Sequence, residues 1–211
     1  MGRNLLLALT GILVTVSPAQ ANIGLPMLTL IWPFFWLAFI PIILIESWVL
    51  YKILKKEPYK KLLWPTTVAN SFSIFIGIPL VWGILVAFEI FTPGGGGTYP
   101  NLSVFWQFFL SVTLQAPWLL PYESQLYWMV PVAVMVLFFW FFWMSAWSEG
   151  FILAKLLRES HSTDVTKKAM WRANMASYAF LYLIDFIYLV YNMIEHSILK
   201  RVSYHLEAKN F

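Results

Sequence analysis

Over 211 residues the chain is 60% hydrophobic and 19% aromatic, with only 11% charged residues and a formal net charge of +4. Soluble domains carry about a quarter charged residues, so most of this surface is built to face lipid. The absence of cysteine excludes disulfides, thiolate metal sites, iron–sulfur clusters and cysteine nucleophiles together.

The first 21 residues, MGRNLLLALTGILVTVSPAQA, combine one basic residue, a short apolar stretch, a Ser-Pro break and an Ala-x-Ala ending at Ala21. That is the pattern of a cleavable secretory signal. Its apolar stretch is shorter than the ~20 residues an ordinary span needs. The reading places Asn22 outside the cytoplasm.

Four long apolar segments follow, at 27–51, 62–91, 126–154 and 169–198. Each is long enough as a helix to cross ~30 Å of hydrocarbon. Pro33, Pro41, Pro79 and Pro131 lie inside them and are expected to kink rather than end the helices, because neighbours can satisfy the freed carbonyls.

Charge placement orients these spans. Ten of the fourteen Lys and Arg fall in two clusters: Lys52, Lys55, Lys56, Lys60 and Lys61, then Lys155, Arg158, Lys167, Lys168 and Arg172. No basic residue lies between Lys61 and Lys155. The positive-inside bias puts both clusters in the cytoplasm, so 62–91 runs outward and 126–154 runs back in. A further span at 103–120 would break that parity. SVFWQFFLSVTLQAPWLL (103–120) is therefore expected to be a re-entrant or interfacial element on the outer face. The turn-rich TPGGGGTYPN precedes it, and Trp106 and Trp118 suit a membrane interface.

Two stretches match each other. IESWVLYKILKKEPYKKLLWPTTVANSFS (45–73) and SEGFILAKLLRESHSTDVTKKAMWRANMAS (148–177) both read Glu, six residues to Lys, a charged loop, a Lys-Lys pair, then Ala-Asn-x-x-Ser. Glu46 and Glu149 are 103 positions apart; Asn70 and Asn174, like Ser73 and Ser177, are 104 apart. The match predicts a duplication. Both copies have the same expected direction, so they are parallel repeats rather than inverted ones. The expected fold is an all-α integral membrane protein, a four-helix bundle of two parallel-repeat hairpins. Its segments are the signal (1–21), a first hairpin (22–91), an outer loop (92–125), a second hairpin (126–199) and a C-terminal tail (200–211).

The duplicated polar residues are the candidate site. Glu46 and Glu149 each lie six residues before a Lys, about 9 Å deeper along a helix. Asn70 with Ser73, and Asn174 with Ser177, share one face of the returning helices. Each hairpin is thus expected to gather its own Glu, Asn and Ser. The copies then diverge: the Asn174 face continues to Asp185 and Asn192, eleven and eighteen residues on, whereas the position matching Asp185 is Val81. A carboxylate near mid-membrane is costly and marks a functional site by default. The competing account of the Glu, Asn and Ser set is interhelical glue.

Other chemistry is thin. His161, His196 and His205 are too scattered for a metal site, and no HExxH, Walker or GxGxxG pattern occurs. No catalytic residue or cofactor follows from the residues. The run FFWFFWMSAW (138–147) fits lipid-facing or bundle packing, and Glu89 and Glu195 sit toward the outer ends. The leading functional expectation is a non-enzymatic accessory, assembly or structural subunit of a membrane complex. The alternatives are a small cation or proton transporter using the polar set with Asp185, and a lipid-modifying enzyme. The expected partners are the bilayer, with anionic headgroups at the basic loops, and another membrane protein, not nucleic acid. The expected location is a plasma (inner) or other energy-transducing membrane, with both mature termini outside.

Overall fold

The computed structural model describes residues 33–55, 57–91, 101–113 and 124–209. The signal assigned to 1–21 lies outside the described residues, as do 22–32, Lys56, 92–100, 114–123 and 210–211. The described residues form five α-helices and no strand: α1 (Pro33–Leu54), α2 (Tyr59–Phe91), α3 (Val104–Thr113), α4 (Leu126–Leu156) and α5 (Thr163–Lys209). Four of these contain stretches long and apolar enough to cross a membrane: Trp36–Leu54, Tyr59–Ala87, Leu126–Leu156 and Thr163–Lys200. These are the four segments expected from hydropathy. At 47 residues, α5 spans about 70 Å, more than twice the ~30 Å of a hydrocarbon core, so it extends well beyond any single crossing.

Prolines interrupt the ladder without ending it. Pro41 lies within α1, Pro65 and Pro79 within α2, and Pro131 within α4. Pro33 is the first described residue of α1. Pro65, not anticipated among the helical prolines, is buried. The carbonyl it leaves free belongs to Lys61 in the first turns of α2, near the charged end.

Two short turns set the hairpins. Residues 55–58 join α1 to α2, and 157–162 join α4 to α5. Lys55 closes α1 in the left-handed region at φ 53°, donating its N–H to the Tyr51 carbonyl at 3.3 Å; this is the helix-ending conformation usually given to glycine. In the second turn, the Leu157 and His161 amides donate to the carbonyls of Leu153 and Leu157 at 2.9 and 3.0 Å. Connections this short make each helix pair antiparallel neighbours.

The four long helices pack in a ring. Both α1 and α4 touch α2 and α5, while α3 rests on α4. At the end bearing the turns, Leu50, Leu54, Leu62, Leu153, Met170 and Ala173 form one buried apolar cluster. Toward the other end Val81, Leu85, Val112, Met129, Ala133 and Leu137 form a second. Ala69, Ala146 and Ala173 are fully buried, and small side chains of this kind let backbones approach closely where lipid supplies no hydrophobic drive between helices. The outward surface is apolar, with Trp64 72% and Trp147 69% exposed. The ten-residue α3, only about 15 Å long, is too short to cross. It docks through Phe108, whose ring meets Trp128 of α4 edge-on at 5.6 Å.

Candidate functional site

Between the two apolar clusters lies a band of buried polar groups. Glu46 and Glu149 are 1% and 2% exposed; Asn70 and Ser73 are each 4% exposed, and Asn174 and Ser177 are fully buried. Six of the seven residues singled out by their spacing therefore meet in one layer of the bundle.

Their hydrogen bonds cross between hairpins. Asn70 Nδ2 donates to Glu46 Oε2 at 2.5 Å, and Asn174 Nδ2 donates to Glu149 Oε2 at 2.8 Å, each within its own hairpin. The serines do the opposite. Ser73 Oγ reaches Glu149 Oε1 at 2.5 Å, and Ser177 Oγ reaches Glu46 Oε1 at 2.6 Å. The expectation that each hairpin gathers its own Glu, Asn and Ser is corrected here for the serines. A residue three positions on is rotated about 60° around the helix. On α2, which lies between α1 and α4, that turn is enough to aim Asn70 at one neighbour and Ser73 at the other.

Each carboxylate oxygen thus accepts one side-chain hydrogen bond. Both asparagine amides also donate back along their helices, Asn70 to the Thr66 carbonyl at 3.1 Å and Asn174 to the Met170 carbonyl at 3.3 Å. Ser73 and Ser177 lie 3.0 and 3.1 Å from the carbonyls of Asn70 and Asn174. Each hydroxyl has one proton, and the shorter contact, to the carboxylate, takes it.

One amide oxygen is left over: Asn174 Oδ1 is buried without a hydrogen-bond partner. Among the described residues no ion pair reaches either glutamate; the one found there, Lys61 with Glu57 at 3.9 Å, lies at the first turn.

Beside the carboxylates is a cavity of about 90 Å³, bordered by Glu46, Asn70, Ser73, Glu149, Ser145 and Tyr178. Apolar side chains, including Ile78, Phe138 and Leu181, line the rest of it. Ser145 and Tyr178 were not anticipated, although their spacing points to them: Ser145 sits one turn before Glu149, and Tyr178 one turn after Asn174. Their hydroxyls lie 3.1 Å apart, joining α4 to α5.

Asp185 stands apart. It is 8% exposed and its Oδ2 has no hydrogen-bond partner, but it does not border this cavity. It lies eleven residues beyond Asn174, about 16 Å along α5. On the same helix, Tyr182 Oη donates to the Met135 carbonyl at 2.8 Å and Asn192 Nδ2 to the Tyr127 carbonyl at 3.2 Å, so the face bearing Asp185 turns toward α4. Val81, its counterpart, is 2% exposed within the second apolar cluster.

The aromatic run divides between two surroundings. Phe138 and Phe142 meet Tyr178 edge-on at 6.2 and 5.5 Å, whereas Phe139, Trp140, Trp143 and Trp147 are exposed on the outer surface. Glu195 is exposed, and His196 stacks on Tyr127 at 3.9 Å. The side chains of Glu89 and His205 lie outside those described.

The four apolar helices define the class, a helical multi-pass membrane protein. No family model, curated protein or solved structure matches the chain.

Proposed function

We propose that the chain is a non-enzymatic accessory, assembly or structural subunit of a membrane complex, with Glu46, Asn70, Ser73, Glu149, Asn174 and Ser177 as the clasp that holds its two hairpins together. One observation carries this reading: all four carboxylate oxygens are engaged by the chain's own side chains, two of them across the hairpins. Such groups are interhelical glue in lipid, and the outward tryptophans, Trp64 and Trp147 among them, leave apolar surface for lipid or a partner.

In this reading the hairpins are copies made by duplication. The matched pattern of Glu, Asn and Ser contacts supports that history. The basic clusters flanking the two turns, within 52–61 and 155–172, face the cytoplasm and anionic headgroups, and α3 lies at the outer interface. The N-terminal signal is removed, both mature termini are outside, and the membrane is the plasma (inner) or another energy-transducing membrane.

A second reading, a small transporter or channel for a cation or proton, is favoured by the cavity beside both carboxylates. The lipid-enzyme reading draws no support from the geometry, because Glu46 and Glu149 are 1% and 2% exposed and headgroups cannot reach them.

Purification of the full chain in mild detergent separates the first two readings. A subunit co-purifies with a membrane protein at fixed stoichiometry and gives no cation flux in liposomes. A chain that purifies alone and carries flux abolished by Glu46→Gln overturns the subunit reading.

A further inference from the structure

A groove lies away from the clasp, at the end of the bundle opposite the two turns. It has a volume of about 370 Å³ and is bordered by Tyr127 of α4 and by Tyr188, Asn192, Glu195 and His196 of α5. The α5 members recur at the spacing of a single helix face. Two contacts hold its shape: Asn192 Nδ2 donates to the Tyr127 carbonyl at 3.2 Å, and the His196 ring stacks on the Tyr127 ring at 3.9 Å. The volume is that of a small-molecule site, ~300–1,000 Å³.

Its depth in the membrane follows from α4. Tyr127 lies 28 residues before Lys155 on that helix, about 42 Å along its axis. A bilayer measures about 40–45 Å with its headgroups. With the basic turns in one headgroup layer, the groove falls in the other, where tyrosine is favoured. Its chemistry is one-sided. Glu195 is exposed and has no ion-pair partner among the described residues. Neither a lysine nor an arginine is among the described residues at the border. A carboxylate beside tyrosine rings suits a cation, which an aromatic face attracts within ~6 Å of its centroid. An asparagine amide carries a pair of N–H donors; Asn192 commits one to the Tyr127 carbonyl and keeps the other for a ligand oxygen.

We propose that this groove binds the headgroup of a zwitterionic phospholipid, its ammonium against Glu195, Tyr127 and Tyr188 and its phosphate on the Asn192 amide. An anionic headgroup would bring its phosphate to Glu195 with no ammonium to pair with the carboxylate. The apolar members of the border, Val130 and Leu199 among them, suit a lipid rather than a soluble amine. From Tyr188 toward the turns, α5 continues with exposed Ile184 and Ile187, an apolar surface for the acyl chains. The site is independent of the subunit reading, because it needs only that the helices cross a bilayer.

The test titrates the full chain in detergent with dioleoylphosphatidylethanolamine or dioleoylphosphatidylglycerol, which share their acyl chains, and measures bound lipid by native mass spectrometry. The ethanolamine lipid should bind more tightly. Glu195→Gln should cut that preference about two- to fivefold, the size of an exposed charge contact, and Tyr188→Leu should cut it by a similar factor. Both side chains are exposed, so neither change threatens folding. Glu159→Gln, in the second turn, should leave the preference unchanged. Deacylated glycerophosphoethanolamine should bind far more weakly than the intact lipid. Equal binding of the two lipids by the unaltered chain overturns the proposal. So does a preference that survives Glu195→Gln combined with Tyr188→Leu, which places the lipid elsewhere on the apolar surface. Glycerophosphoethanolamine that binds as tightly as the lipid overturns it as well, making the groove a site for a soluble amine.

Discussion

Ser177 on α5 donates a 2.6 Å hydrogen bond to Glu46 on α1, 131 residues earlier in the chain. Its counterpart joins Ser73 on α2 to Glu149 on α4. These two contacts tie one hairpin to the other, whereas the asparagine contacts hold each hairpin closed. The two kinds of bond therefore have different consequences when removed.

Ser73→Ala with Ser177→Ala should loosen the association of the hairpins while leaving each hairpin's internal Glu–Asn contact. An interhelical hydrogen bond in a membrane is worth about 0.6–2 kcal/mol, so the pair should cost roughly 1–4 kcal/mol in detergent-driven unfolding. Co-expressed separate hairpins, 22–91 and 126–199, should reassociate less well with both serines replaced. An unchanged association constant would show that the cross-ties contribute nothing.

Asp185→Asn keeps hydrogen-bonding capacity and removes an intramembrane carboxyl group that has no ion-pair partner among the described residues. Under the subunit reading, stability should be unchanged or raised, with partner binding intact. Loss of a transport phenotype in a normally folded Asp185→Asn protein would favour the second reading instead.

Val81→Asp is the mirror change. Val81 is buried among Leu85, Val112, Met129 and Ala133, where a carboxylate finds no donor. The substitution should destabilise by about 2–4 kcal/mol, the translocon-scale cost of an acid at helix centre, measured by unfolding in mixed micelles. Wild-type stability would mean that water reaches this cluster.

Orientation is open to direct labelling because the chain has no native cysteine. Single substitutions Pro58→Cys and Thr163→Cys should react with membrane-impermeant maleimide only from the cytoplasmic side, and Gly96→Cys only from outside. External labelling at position 163 would overturn the proposed direction of the second hairpin.

Much of this architecture was legible in the residues. Long apolar runs specify helices in lipid because backbone groups there must be satisfied within the segment. Two short charged turns leave the helices they join no arrangement but antiparallel neighbours. The polar layer was legible too, since buried Asn and Glu in an oily run need partners and their matched spacing put them at equal depth. Asp185 stands out on the same ground, but helical spacing gives only a direction, and depth along α5 separates it from the cavity.

What the chain determined by itself was which residues had to be inside, because lipid penalises every unpartnered polar group. Which partner each of them took was decided only by the tertiary structure. Asn70 and Ser73 share a face on α2, yet α2 stands between α1 and α4, and a 60° offset sends one side chain to each. The same packing determined that Ser145 and Tyr178 border the carboxylates and that a cavity remains between them. A cavity depends on how four helices approach one another, and no periodicity within a single helix records that distance.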